Sequence, residues 1–125
     1  ADALKALLDS YNLPWVAFRT IHFKPFSGSL QGKLIHGVQF HYTDYEAACC
    51  TLTQFYVMQA VNELYPDKNP FALSKGRNNM FDKVCGTDYV RTTFGKRLKV
   101  EDIADYWSKD VEAFRTLSRK YWLYN

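Results

Sequence analysis

Three side chains in the first third of the sequence have the types a polar site would use. Arg19 stands inside an apolar run, and His41 and Asp44 belong to the stretch His36-Gly37-Val38-Gln39-Phe40-His41-Tyr42-Thr43-Asp44. An imidazole and a carboxylate can pass a proton between them, and a guanidinium beside them can hold an anionic ligand through paired N–H donors. Each residue also has a plain structural role: Asp44 as a helix cap, His41 as a strand-face side chain, and Arg19 as a surface cation whose stem covers apolar surface. Glycoside or ester hydrolysis by paired acids needs two convergent carboxylates, and residues 1–62 offer only Asp2, Asp9, Asp44 and Glu46. A binding site is therefore expected before a catalytic one.

Other chemistries find less support. Neither His-Glu-x-x-His nor a cysteine pair at zinc spacing occurs, and His36 and His41, five apart on one strand, face opposite sides. Cys49, Cys50 and Cys85 form no Cys-x-x-Cys pair; a bridge between adjacent cysteines is strained, so buried free thiols are expected. A Cys–His nucleophile would lack a group to orient its base. Gly28-Ser29-Leu30-Gln31-Gly32-Lys33 is one residue short of a phosphate loop and lacks the hydroxyl residue after lysine that holds magnesium. No metal or cofactor is expected. Aromatic side chains offer a second kind of site: Phe23, Phe26, Tyr42 and Tyr45, with Trp15, gather around a loop and the strand ends, where they could stack on sugar rings or meet an apolar partner.

These residues must be positioned by a small α+β fold. Leu4, Leu7, Leu8 and Tyr11 recur at helical spacing, with Asp2 as N-cap and Asn12 and Pro14 as the stop. Residues 15–23, bounded by Pro14 and Pro25, read as a strand, and residues 24–33 as an exposed loop. In the next strand Val38, Phe40 and Tyr42 share one face and Gln39 and His41 the other, which marks it as the central strand with one buried face. Thr43 or Asp44 then caps a helix from Ala47 to Leu64 or Tyr65. That helix is apolar nearly all round. Phe55 and Met58 sit beside its narrow polar stripe, so it is either the buried spine of the domain or presents those two side chains to another domain or subunit.

Beyond Pro66 the pattern breaks into short pieces that look like a surface lid. Phe71-Ala72-Leu73 reads as extended, Met80 to Val84 as one or two helical turns before Gly86, and Tyr89 to Phe94 as a helix capped by Thr87 or Asp88 and closed by Gly95. A second long helix is expected over Val100 to Tyr121, with a break near Ser108. The tail Tyr121-Trp122-Leu123-Tyr124 is too apolar to stay in water and is expected to dock on the core or along the sheet edge. The expected fold class is α+β: a small, mainly antiparallel or mixed sheet against two long helices, with several short helices, in one domain over residues 1–125.

Bulk properties agree. With 125 residues and 47% apolar side chains, including nine Phe, nine Tyr and three Trp, the chain can bury a core without metal or disulfide staples. The net charge of +3 is spread unevenly: four Lys/Arg against four Asp/Glu in residues 1–62, and twelve against nine thereafter. Because acids are interleaved with these bases, no stripe of the kind that tracks a phosphate backbone arises, and nucleic acid is not an expected partner. No apolar run approaches the roughly 20 residues of a membrane span, so membrane insertion is not expected, and no signal peptide opens the sequence.

Several short motifs, taken in order, carry a family resemblance. They are Leu13-Pro14, Phe18-Arg19, Phe23-x-Pro25, Gly32, Gly37-Val38-x-x-His41-x-Thr43-Asp44, Leu64-Tyr65-Pro66, and then Trp107, Phe114, Arg119 and Tyr121-x-Leu123-Tyr124. Together they resemble, from about residue 12 to residue 124, the C-terminal domain of the bacterial exo-β-N-acetylmuramidase family, formerly a domain of unknown function. The resemblance implies a two-domain protein. Its larger N-terminal, Rossmann-like domain would carry the hydrolysis of peptidoglycan fragments, and the C-terminal part would pack against it and help to shape the muropeptide cleft.

By position, Arg19, Gly37, His41, Thr43 and Asp44 match the family, with Arg19, His41, Thr43 and Asp44 as cleft residues. The chain departs where the family often has Phe-Arg-Pro before the long helix and a cysteine before the second strand: here stand Ala47-Ala48-Cys49-Cys50 and Leu34. The first difference removes a positive charge from the helix start and, with it, the basis for an anion site at that turn. The resemblance also implies an exported parent protein at the cell envelope, periplasmic or extracellular, with a role in cell wall recycling. Two alternatives stand beside the accessory domain: a purely structural docking or dimerisation domain, and an enzyme in its own right using a His/Asp site.

Overall fold

A computed structural model gives the structure of residues 1–74 and 76–124. The chain divides into two compact units, residues 1–75 and 76–125.

The first unit opens with helix α1 (Asp2–Ser10), continues through the antiparallel strands β1 (Val16–Phe23) and β2 (Ile35–Tyr42), and then forms the longest helix, α2 (Cys50–Leu64). The register pairs Val16 with Tyr42, Phe18 with Phe40, Thr20 with Val38 and His22 with His36 on one face. Ala17 with His41, Arg19 with Gln39, Ile21 with Gly37 and Phe23 with Ile35 make the other. The first face packs inward: Leu8 of α1, Phe18 of β1 and Ala60 of α2 are buried together, surrounded by Leu4, Leu7, Tyr11, Val16, Val38 and Val57. The alternation read from the sequence thus sets which face is buried, although Phe40 stays 40% exposed while its ring meets Phe18 edge-on at 5.6 Å. With only two strands in the sheet among the described residues, β2 is an edge and not a central strand.

Local chemistry explains several departures from the expected boundaries. The N-cap of α1 is Ala1, with Asp2 inside the first turn, where its negative charge complements the helix dipole. Asp44 caps a turn ahead of α2: its Oδ1 accepts from the backbone N–H of Glu46 and of Ala47, both at 3.0 Å, so the helix starts later than Ala47. Cys49 and Cys50 fall at that helix start and are exposed, which corrects the expectation of buried thiols. Phe55 is fully buried and cannot serve as an exposed docking side chain; Met58 is half-buried. Phe71-Ala72-Leu73 is helical, in α3 (Pro70–Leu73), because Asn69 Oδ1 accepts from Phe71 N and Ala72 N and Pro70 presets the first turn.

The second unit consists of α4 (Asn78–Cys85), α5 (Tyr89–Arg97), α6 (Ala104–Ser108) and α7 (Val111–Ser118), with single 3-10 turns at Val100–Asp102 and Arg119–Tyr121. Gly86 closes α4 in the left-handed region, as its sequence position indicates. Gly95, by contrast, lies within α5, and Leu98 at φ 53° makes the stop. Arg97 holds the following turn by donating to Asp102 and, at 2.9 Å, to Glu101. The expected long helix is interrupted at Ile103 as well as beyond Ser108. Nor are these pieces a lid, since Val90, Phe94, Leu98, Val100 and Ile103 are buried.

Candidate functional site

Antiparallel pairing brings Arg19 and His41 onto the open face of the sheet. Arg19 stands opposite Gln39, and His41 follows two residues along β2 on the same side, opposite the small side chain of Ala17. Arg19 Nη2 donates to Gln39 Oε1 at 2.8 Å, which fixes the guanidinium without neutralising it. No carboxylate among the described residues pairs with Arg19, so its remaining N–H donors face solvent. Gln39 is the residue that sequence reading did not select; its signal was its parity with Arg19, legible only once the register is known.

Thr43 and Asp44 serve the frame of this face. Thr43 N donates to the carbonyl of Trp15 at 2.9 Å, extending the pairing one step past β1. Trp15 holds that position with φ 64°, a left-handed conformation uncommon for a bulky residue, and its side chain is 50% exposed. Asp44 is committed to its turn through Oδ1, so the trio reduces to Arg19 and His41 with Asp44 as a nearby cap.

The four aromatic candidates do not form one platform. Phe23 pairs with Ile35 at one end of the sheet and Tyr42 with Val16 at the other, roughly 23 Å apart at the rise of a strand, and on opposite faces. Phe26 lies exposed in the loop after β1, while Tyr45 leans on Tyr42 with ring centroids 5.6 Å apart. A cavity of about 160 Å³ lies in the first unit between Leu13, Pro14, Val16, Leu52 and Tyr56, with Cys49 and Thr53 as its polar edge. It is an apolar recess: Thr53 Oγ1 is turned to the Cys49 carbonyl at 3.3 Å. His22 and His36 pack edge-on across the strands at 4.5 Å, on the face opposite His41. Among the described residues no three His, Cys, Asp or Glu side chains converge as a metal site would require.

Comparison with known proteins places the chain in a family. The family model described as the C-terminal part of the exo-β-N-acetylmuramidase NamZ matches residues 1–124. The chain belongs to the NamZ C-terminal family. A peptidoglycan β-N-acetylmuramidase NamZ of Bacillus subtilis (strain 168) is 35% identical over 121 residues, a match that spans 97% of this chain and 28% of that protein. A crystal structure of a DUF1343 family protein from Bacteroides fragilis NCTC 9343 has the same fold, with 44% identity and a TM-score of 0.93 over all of this chain and 33% of that one. The chain therefore spans about a third of the length of these two relatives. No helix among the described residues is long and apolar enough to cross a membrane.

Proposed function

We propose that this chain is the accessory domain of a longer peptidoglycan-active exo-β-N-acetylmuramidase, and that its open sheet face forms one wall of the cleft that receives muropeptide or glycan. Catalysis belongs, on this reading, to a Rossmann-like domain elsewhere in the same polypeptide, and the parent protein works at the cell envelope. Family membership supports the enzyme class. The carrying observation for the cleft is Arg19, a cation held in place by a neutral amide and left without an acid.

Muramic acid sugars bear a carboxylate, and a guanidinium with free N–H donors is suited to it by charge and by paired hydrogen-bond geometry. His41, exposed on the same face and opposite Ala17, has room to donate or accept at a neighbouring sugar hydroxyl. Thr43 and Asp44 fix the chain just beyond β2, through the Thr43 N–H to the Trp15 carbonyl and the Asp44 turn.

Titration of the chain with a MurNAc-containing disaccharide, followed by amide chemical shifts, tests this. Shifts that map to Arg19, Gln39 and His41 are expected, with Asp44 affected less. A spectrum that stays unchanged around Arg19 and His41 at saturating disaccharide would leave the second reading, a structural docking domain without glycan contact.

A further inference from the structure

The last helical stretch leaves its apolar side without a cover. Val111, Phe114 and Leu117 lie along one side of α7, a strongly amphipathic helix with no buried residue, and Tyr121 continues the line. Phe114 is 69% exposed and Leu123, in the tail beyond, 86%. Glu112 and Arg115 form an ion pair at 2.6 Å away from this stripe. At its start the stripe opens into a groove floored by Tyr106 and Trp107, with Lys109, its ammonium 4.6 Å above the Tyr106 ring, and Asp110 at the rim. The sequence demands that so apolar a tail be docked. Within its own unit the tail finds no such cover: Tyr121, Trp122, Leu123 and Tyr124 are all exposed.

We propose that this stripe and tail form the surface on which the rest of the longer polypeptide packs. The proposal rests on the reading that the chain is one part of such a polypeptide. Contiguous apolar patches of this kind are rare on free-standing monomers and mark interaction sites. The occupant is argued from length: the chain makes up 28% and 33% of two relatives, and the fold is retained at a TM-score of 0.93 inside the longer one of known structure. Most of the molecule that this domain accompanies is thus absent from the surface described. A glycan fits the stripe poorly, because Val111, Leu117 and Leu123 offer sugar hydroxyls no hydrogen-bonding group.

Hydrogen exchange on the longer polypeptide, wild type against Phe114→Asp/Leu117→Asp, tests the assignment. Both side chains already face outward, so the exchange of α5 is expected to stay unchanged and serves as the folding control; should it rise, Leu117→Asn gives the same readout with a smaller perturbation. The expected result is at least tenfold faster exchange over residues 111–121, together with faster exchange in a segment outside these 125 residues. Unchanged exchange everywhere outside residues 1–125 would overturn the proposal. Protection of residues 111–121 that rises with protein concentration would also overturn it, in favour of a second copy. Hydrolytic activity is not the readout, so failure of the glycan reading leaves this result intact, and the reverse holds too.

Discussion

At the scale of single residues, what a side chain does here depends on which of its atoms are already engaged. Asp44 and Arg19 looked equivalent as members of a polar trio, yet Asp44 Oδ1 holds two backbone N–H groups while Arg19 gives one donor to Gln39 and keeps the rest. Tyr11 shows the opposite condition. Its hydroxyl is buried with no hydrogen-bond partner among the described residues, and burial pushes its pKa above the ordinary value, an effect opposed by the Gln59 side chain. Because an unpaired buried hydroxyl has lost its water, Tyr11→Phe should be neutral or stabilise the fold by up to about 1 kcal/mol. Chemical denaturation of the two proteins measures this, and a loss of more than about 1 kcal/mol would show that the hydroxyl is paired after all. The residue types of the site were legible from sequence; the pairing of Arg19 with Gln39 was not, because it depends on a strand register that no local pattern states.

At the scale of elements, short polar contacts decide where helices begin and how they join. Arg91 bridges α5 to α4 by donating to both oxygens of Asp82, at 2.7 and 2.9 Å. The hydrogen bond from Arg91 holds the Asp82 carboxyl below the ordinary aspartate value of 3.8, against partial burial, which acts the other way. Arg97 does the same for Asp102. A carboxyl with a depressed folded pKa contributes stability that is complete above its unfolded value and is lost as pH falls through the folded one. Thermal stability should therefore fall below about pH 4, and Asp82→Asn should lower stability at neutral pH while flattening the acid limb. Equal acid slopes for the two proteins would count against Asp82 as a source of that sensitivity.

The same scale explains what sequence periodicity could and could not supply. Alternation in β1 and β2 and the spacing of α1 were readable, because each stretch buries one face against its neighbours. The run from Val100 to Tyr121 kept an apolar stripe through a chain that is broken into short turns, since the stripe reports which side is apolar and not whether backbone hydrogen bonds continue across Ile103. Asn69 and Leu98 set boundaries by means that a residue-type pattern does not reveal: an Asx cap, and a left-handed stop taken by leucine where glycine was expected.

For the whole molecule, two surfaces stand out, each within its own unit: the sheet face that carries Arg19, proposed to meet glycan, and the exposed apolar stripe of α7, proposed to meet the rest of the polypeptide. The most direct measurement is steady-state muramidase kinetics of the longer polypeptide with Arg19→Ala, beside wild type and His41→Ala. Loss of a charge-assisted contact to a carboxylate is worth about 1.5–3 kcal/mol, so Arg19→Ala should lower kcat/KM by roughly 10- to 150-fold, chiefly through KM, with the fold unchanged by circular dichroism. Wild-type kinetics in the Arg19→Ala protein would contradict the assignment of this face to the glycan cleft.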